Sequence, residues 1–426
     1  MVAGGLVVAG GLVVAGDLAV TGLPRWLDDP HLVMAAWSRL AEPGDRAAAA
    51  ARKTLGAAPA LQHVLADRPL PLEVAEAGHG RRAALDEALE RWRVRLADLD
   101  PAREVAALQR LGGRLVIAGD DEWPNGLDDL GEQAPVCLWV RGRPGLAAVL
   151  ERSVAIVGAR ACTGYGEHVA GLMAAGVAQR GYAVVSGAAF GIDAAAHRAA
   201  LGVDGCTVAV LACGVDRVYP ASHAALLRRI TEEGFVVSEQ PLGGAPTRWR
   251  FLERNRLIAA AASATVVVEA AWRSGALSTA LRAAGLGRPL GAVPGPVTAA
   301  TSAGCHRLLR ELAATCVTDA DEVIELAGRL GECEPTAPPD VRRPHDDLDE
   351  GELRVWEALP PRAARAPAAI AVTAGLPHRQ VLGALGRLAV RGYVDTVPAP
   401  DGSHSWRRRA AAAPQRLAPS TSGAGG

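Results

Sequence analysis

Short runs of apolar residues recur through the middle of the chain, separated by longer stretches with a helical pattern. Each run is nearly continuous in apolar residues, which is typical of strands buried on both faces. The stretches between the runs are long enough for the crossover helices that parallel strands require. The predicted strands span residues 154–157, 183–185, 207–211, 235–237, 265–269 and 290–293. This alternation predicts an α/β domain over residues 112–330, with an extended Rossmann-like, doubly wound and mostly parallel sheet.

Helical patterns dominate on either side of this domain. Residues 32–111 predict an N-terminal helical (SAM-like) domain, and apolar runs at 114–118 and 136–140 predict two further strands. Residues 331–345 are rich in proline and charge, which is typical of a linker. Helical patterns at 352–359, 368–374 and 379–390, followed by a strand and a Pro-Asp-Gly turn, predict a winged helix over 346–409. We expect a low-complexity extension at 1–31, with Met34 as an alternative start, and a disordered tail at 410–426.

Composition narrows the function classes. Of the 426 residues 50% are hydrophobic and 21% are charged, which excludes a disordered chain. The net charge is −1, so any anion-binding role must come from a local patch. Lys53 is the one lysine, which excludes the phosphate-binding lysine of a Walker-type loop.

Cysteine usage and the first residues indicate the compartment. The seven cysteines include no Cys-x-x-Cys pair, which favours a reducing environment over a disulfide or zinc framework. The first 23 residues lack the basic segment of a signal peptide and are too glycine-rich for a membrane span. We therefore expect a cytoplasmic protein without a membrane partner.

Two predicted strands end in loops that could hold an anion. The first leads into Gly158 and Arg160, and the second leads into Ser186 and Gly187. Glycines let the backbone approach an anion, a following helix offers free N–H groups, and arginine adds a forked donor. Either loop alone is equally compatible with an ordinary tight turn, whereas two such loops on the same edge of the sheet favour an anion site. Neither loop has the Gly-x-Gly-x-x-Gly pattern of dinucleotide binding.

The segment from Pro246 to Arg256 is the most informative. It contains four arginines and two aromatic residues against one acid. Arginines that alternate with aromatic rings suit a single-stranded nucleic acid, because guanidinium groups hold phosphates and rings stack on bases. In the alternative interpretation Trp249 and Phe251 belong to the core, and the arginines form a solvated face.

Catalytic chemistry has little support in the sequence. Asp193 and His197 lie four positions apart at a helix start, where we expect them to be structural. No set of nucleophile, base and orienting group stands out, which argues against an enzyme. In the C-terminal module, Arg379, Arg387 and Arg391 give the third helix a basic face for a DNA groove, although many winged helices bind protein instead.

Taken together, these segments resemble the DNA-processing protein A family of bacteria, DprA/Smf. The matching blocks lie in order over about 140 residues, at 154–160, 186–193, 209–216, 238–239, 251–259, 268–270, 274–280 and 293–295. The resemblance implies a protein that binds single-stranded DNA without turnover chemistry, cofactor or metal. It also implies loading of the RecA recombinase during natural transformation, and a homodimer formed through the Rossmann-like domain.

The resemblance also implies roles for individual residues. Gly158 and Arg160 would hold phosphate, and Ser186 and Gly187 would line the same pocket. Arg248 would be a basic DNA contact, Phe251 would wedge against bases, and Asn255 would be a hydrogen-bonding brace. Arg254 and Arg256 would complete an electropositive rim.

Three positions depart from the family pattern: Ala159, His306 and Leu312 stand where serine, asparagine and glycine are usual. Two other functions stay open. A nucleotide-processing enzyme that acts on nucleoside monophosphates would carry a PGGxGTxxE pattern, of which this chain has only Pro294-Gly295. A regulator would use the winged helix on duplex DNA.

Overall fold

The computed structural model describes residues 7–9, 12–14, 23–78, 81–328, 347–398 and 404–409. The chain divides into two compact units, Met1–Pro335 and Thr336–Gly426. The predicted linker and tail, and most of the predicted extension, lie outside the described residues. The predicted domain boundaries stay predictions.

The first unit begins with a small hairpin and six helices. The hairpin pairs β1 (Val7–Ala9) with β2 (Leu12–Val14) in antiparallel fashion. The helices are α1 (Pro30–Leu40), α2 (Arg46–Leu55), α3 (Ala57–Leu65), α4 (Leu72–Ala77), α5 (Arg82–Arg93) and α6 (Pro101–Arg110). Asp29, Asp45 and Asp100 cap the first, second and sixth of these by accepting backbone N–H groups. The helices surround Trp37 and Trp92, whose rings meet edge to face at 5.2 Å.

The rest of the first unit alternates strands and helices. Its strands are β3 (Gly113–Val116), β4 (Leu138–Gly142), β5 (Ser153–Val157), β6 (Ala183–Ser186), β7 (Thr207–Leu211), β8 (Phe235–Ser238), β9 (Ala264–Val267), β10 (Leu290–Ala292) and β11 (Thr315–Cys316). Its helices are α7 (Leu146–Glu151), α8 (Gly164–Gln179), α9 (Ile192–Gly202), α10 (Ala224–Glu233), α11 (Arg248–Ala261), α12 (Ala276–Gly285), α13 (Ala303–Glu311) and α14 (Ala320–Ala327).

All nine of these strands form one sheet, in the order β11-β10-β9-β5-β6-β7-β8-β4-β3. The seven strands from β11 to β8 are parallel, whereas β4 is antiparallel to both of its neighbours. The predicted mostly parallel, doubly wound sheet is therefore confirmed. After β5 the chain crosses to one side of that strand, and it later returns to β9 on the other side.

The alternation of side chains along each strand explains the two helix layers. On β5, Ala155 and Val157 face a core shared with α11 and α12. Val154 and Ile156 face the opposite core, which includes residues of α8 and α9. Both faces of the central strands are thus covered, as their continuous apolar runs predict.

The second unit contains three helices followed by a hairpin. These elements are α15 (Glu350–Glu357), α16 (Pro367–Ala374), α17 (His378–Val390), β12 (Val394–Pro398) and β13 (His404–Arg408). Asp349 and Glu352 form a capping box at the start of α15. Val355, Ile370 and Leu385 are part of a separate core. Nowhere in the described part of the chain does a helix combine the length and the apolar character needed to cross a membrane.

Candidate nucleic-acid interface

A crevice of about 820 Å³ lies at the carboxyl ends of β5 and β9. The chain leaves these two adjacent strands toward opposite sides of the sheet. In doubly wound sheets ligands bind at this switch point. The crevice is formed by the loop after β5 (157–161), the start of α11 with the residues before it, and the loop after β9 (273–276).

The loop after β5 is held in place by a glycine and a carboxylate. A Cβ at Gly158 would lie 2.6 Å from Cγ1 of Ile192 and 2.9 Å from the carbonyl oxygen of Glu269, so this position requires glycine. Glu269 accepts hydrogen bonds from the backbone N–H of Thr163 at 2.9 Å and from its hydroxyl at 2.7 Å. The tight loop leaves Arg160 exposed at the mouth of the crevice.

One face of α11 forms a wall of the crevice. Thr247 caps the helix, since its hydroxyl oxygen accepts the N–H of Arg250 at 3.2 Å. Arg248, Phe251 and Asn255 follow the i, i+3, i+7 spacing of a single helix face, and all three line the crevice. The amide of Asn255 donates to the carbonyl of Gly275 at 3.4 Å, which ties α11 to the loop after β9.

Phe251 lies between two guanidinium groups. The central carbon of the Arg160 guanidinium is 4.9 Å from the ring centroid of Phe251, and that of Arg254 is 5.9 Å away. The ring of Tyr219 lies at 5.5 Å from the same ring. These distances place both cations within range of the π system.

Arg254 is a buried cation that lines the crevice. Only 6% of the residue is exposed, one of its terminal nitrogens donates to the carbonyl of Val210, and its Nε has no hydrogen-bond partner among the described residues. Burial and the nearby charge of Arg160 together lower the pKa of Arg254 to about 10, although the charge of Asp193 acts in the opposite direction. An anion in the crevice would relieve both effects.

The remaining charges around the crevice are strongly one-sided. Arg160, Arg248 and Arg273 are exposed, and none of them forms a hydrogen bond or ion pair with a residue in the described ranges. Among the residues that the structure describes, Asp193 is the one carboxylate that lines the crevice. It is buried and accepts the N–H groups of Gly187 at 3.1 Å and Ala189 at 3.3 Å. The crevice therefore presents four arginines and one carboxylate that is already engaged.

Ser186 and Gly187 do not line the crevice, contrary to expectation. The Ser186 hydroxyl is buried and donates to the carbonyl of Ile156 at 2.7 Å. A Cβ at Gly187 would lie 2.0 Å from a terminal nitrogen of Arg254. Gly187 thus leaves space for the Arg254 side chain, which in turn lines the crevice.

The expectation that Arg256 belongs to an exposed rim is corrected. Its side chain is fully buried, and one terminal nitrogen donates to both carboxylate oxygens of Glu239, at 2.9 and 2.8 Å. Burial raises the pKa of Glu239, whereas the neighbouring guanidinium acts in the opposite direction. Arg256 therefore neutralises a buried carboxylate and has no access to a ligand.

Arg273 is the crevice residue that sequence analysis missed. It follows the carboxyl end of β9 and stands directly before the Ser274-Gly275 block. The sequence did carry a signal for Arg273, because it follows a predicted strand and precedes a block that matches the family. Only the order of the strands places this loop opposite Arg160.

His197 is structural, as expected. It is fully buried, and its Nδ1 lies 2.7 Å from the hydroxyl oxygen of Thr207, which itself donates to the carbonyl of Val184 at 2.6 Å. Since the Thr207 proton is used for the carbonyl, Nδ1 is the donor in the first contact. Burial lowers the pKa of His197 to about 3, which keeps the ring neutral.

In the second unit, two of the three predicted contacts are engaged in ion pairs. Arg387 donates to Glu352 at 2.8 Å, and Arg391 donates to the other oxygen of the same carboxylate at 2.7 Å. The side chain of Glu352 is only 4% exposed. Arg379 is exposed at the start of α17 and has no polar partner among the described residues.

Comparison with known proteins gives consistent matches. A family model described as DNA recombination-mediator protein A matches residues 114–328. The chain is 50% identical over 307 residues to a putative DNA processing protein DprA of Mycobacterium tuberculosis, covering 69% of this chain and 78% of that protein. It is 38% identical over 205 residues to the DNA processing protein DprA of Streptococcus pneumoniae, covering 48% of this chain and 71% of that protein.

Comparison of solved structures agrees. The X-ray structure of DprA from Streptococcus pneumoniae matches with a TM-score of 0.54 at 31% identity, and the match covers 68% of this chain and 95% of that chain. The fold described above is therefore similar to that of a solved member of the same group. The chain belongs to the DNA recombination-mediator protein A family, DprA/Smf, which its ordered sequence blocks resemble.

Proposed function

We propose that this protein binds single-stranded DNA in the crevice between the loops after β5 and β9. The observation that carries the proposal is the convergence of Arg160, Arg248, Arg254 and Arg273 on one crevice. The one carboxylate that lines it among the described residues, Asp193, is already engaged. Arginines hold phosphates by charge-assisted hydrogen bonds. The ring of Phe251 lies among them, where it can contact an unstacked base.

The concave shape favours a single strand over a duplex. The aromatic ring is partly buried inside the crevice, so only a base that is free of its partner strand can reach it. A duplex would offer the arginines its phosphates and leave Phe251 without a contact.

We further propose that the protein acts as a mediator that protects the strand and passes it to the RecA recombinase, without turnover chemistry, and that it works as a homodimer. The family description as a recombination mediator supports this proposal. So does the commitment of Asp193 and His197 to structural hydrogen bonds, because the described residues of the crevice then include no free base beside a nucleophile. Stimulation of RecA filament assembly on coated single strands, and a dimer mass in light scattering, are the expected results.

The central test compares oligo-dT with a duplex of equal length by fluorescence anisotropy. The single strand should bind more tightly than the duplex. Arg160→Ala and Arg273→Ala should each weaken single-strand binding about ten- to a hundredfold, since a charge-assisted hydrogen bond contributes about 1.5–3 kcal/mol. Arg110→Ala is the matched control, because Arg110 is an exposed arginine at the end of α6 that does not line the crevice.

Two outcomes would contradict the proposal. Equal or tighter binding of the duplex, insensitive to both crevice substitutions, would favour a regulator that acts through the second unit. Release of free base from nucleoside monophosphates would favour the nucleotide-processing enzyme.

A further inference from the structure

We propose that the N-terminal helices carry a second subsite for the same DNA strand, in which Trp249 stacks on a base outside the crevice. The inference rests on the proposed function and extends it to a surface that the crevice does not include. The site is a cleft of about 400 Å³ between Trp249 and the helices α2, α4 and α5, called the helical cleft below.

The helical cleft has the construction of a stacking site. Val74, Ala75 and Leu85 line it and are almost fully buried, which gives it an apolar floor. Trp249 forms a wall and keeps 55% of its surface exposed, although it is the largest apolar side chain on α11. An apolar floor beside an exposed indole ring suits a nucleobase, because any base can stack on an aromatic face.

The charges at the rim favour a polyanion. Arg46 and Arg81 are exposed, line the cleft, and form no side-chain hydrogen bond or ion pair within the described ranges. Arg91 is 59% exposed and only loosely paired, at 3.7 Å from Asp45.

The acids of the helical cleft are mostly engaged elsewhere. Glu42 accepts hydrogen bonds from Arg250 at 2.8 Å and from Arg95 at 2.5 Å. Asp45 accepts the indole N–H of Trp92 at 2.9 Å and caps α2. Glu87 is the one lining carboxylate in the described ranges without such a contact, so the free charge at the rim is positive.

The first turn of α11 contributes one residue to the crevice and the next residue to the helical cleft. Arg248 lines the crevice and the next residue, Trp249, lines the cleft. Arg250, one position further, is bound by the carboxylate of Glu42 and therefore fixes this turn against the N-terminal segment. We infer that a strand leaving the crevice past Arg248 reaches Trp249 next, because the two residues are neighbours on this fixed turn.

The experiment measures the affinity of the full-length protein for oligo-dT over a length series from about 4 to about 16 nucleotides, the usual range of site sizes in single-strand-binding grooves. For the shortest strands Trp249→Ala should bind as wild type does. For the longest strands the affinity of Trp249→Ala should be about tenfold lower than that of wild type, corresponding to ~1.4 kcal/mol. Trp249→Phe should retain most of the wild-type affinity. Trp272→Ala is the matched control, since Trp272 is 52% exposed and lines neither the crevice nor the helical cleft.

The outcomes separate this inference from the proposed function. If Trp249→Ala matches wild type at every length while Arg160→Ala loses binding, the crevice stands and the second subsite is refuted. If Trp249→Ala weakens all lengths equally, Trp249 is part of the crevice and a separate subsite is again refuted. If wild type binds no single strand, the proposed function fails and the inference fails with it.

A second measurement does not depend on removing the tryptophan. Strands with 5-iodouracil at one end should form a photo-crosslink to the peptide that contains Trp249 from one end only, because a bound strand has a fixed polarity. Arg46→Glu, on α2 and remote in sequence from the crevice loops, should reduce both this crosslink and the affinity for long strands. Crosslinks confined to residues of the crevice would overturn the proposal.

Discussion

Arg254 and Arg256 lie two positions apart on α11 and therefore project from the helix in different directions. Arg254 lies behind Phe251 and reaches the crevice, whereas Arg256 points into the protein and pairs with Glu239. The same side-chain chemistry serves ligand binding in one case and charge neutralisation in the other. The sequence shows both as members of one basic segment, and only the packing of the helix separates them.

The buried pair predicts a large effect on stability. Arg256→Ala should lower the free energy of unfolding by about 3–5 kcal/mol, because Glu239 is left as an uncompensated buried charge. Urea denaturation followed by circular dichroism measures the loss. The double variant Glu239→Gln/Arg256→Met removes both charges and should recover most of the stability. A loss below about 1 kcal/mol in Arg256→Ala would contradict this assignment.

His197 predicts a pH dependence of stability. Its pKa is about 3 in the folded protein, against about 6.5 for an unfolded histidine. Between these values the unfolded chain binds the extra proton, so stability is complete above about pH 6.5 and falls as the pH is lowered. The slope from this group approaches 1.4 kcal/mol per pH unit. Urea denaturation between pH 5 and pH 7 should show a smaller slope for His197→Asn, and equal slopes would contradict the prediction.

At the scale of elements, the apolar runs of the sequence locate eight of the nine strands of the described sheet within one or two residues, whereas the two-residue edge strand β11 was not predicted. The run at 154–157 becomes β5 at Ser153–Val157, and the run at 207–211 becomes β7 over the same residues. Such strands are buried on both faces, so their signal is strong and local. The position of β4 between β8 and β3 has no local signal, because it depends on pairing between distant segments.

The crevice, too, depends on contacts between distant segments that the sequence does not reveal. Arg160 and Arg248 could be identified from their own motifs, but Arg273 joins them only because β9 lies next to β5. The ion pairs of Arg387 and Arg391 likewise depend on the packing of α17 against α15, which places a buried glutamate under two arginines. Residue type and spacing predict which side chains can bind an anion, whereas the fold decides which of them are free to do so.

The helix α17 predicts a testable gain of function. Glu352 pairs with both Arg387 and Arg391, so Glu352→Gln should remove the closest ion pair of each guanidinium group and raise the affinity for duplex DNA several-fold. Gel-shift titration at low salt measures the change. Glu350→Gln is the matched control. Like Glu352, Glu350 is an acid on α15, but it is exposed and its side chain forms no polar contact within the described ranges. Unchanged affinity in Glu352→Gln would show that this face of α17 does not meet DNA.

At the scale of the whole molecule, the balance of charge determines how DNA binding responds to salt. The net charge is −1, so no long-range field attracts a strand, and binding depends on the few arginines that are free. Four arginines line the crevice, and three of them are exposed. For strands short enough to occupy the crevice alone, the plot of log K against log salt concentration should therefore have a slope of about −2 to −3, at about −0.7 per phosphate.

The slope reports the number of phosphates that the protein contacts and does not depend on the absolute affinity. Arg273→Ala should reduce its magnitude by about 0.7, whereas Arg110→Ala should leave it unchanged. Longer strands should give a steeper slope, because the arginines of the helical cleft then add phosphate contacts. A slope near zero would contradict phosphate binding in the crevice altogether. A steep slope with short strands that Arg273→Ala leaves unchanged would place the main phosphate contacts on another group of free arginines, outside the crevice.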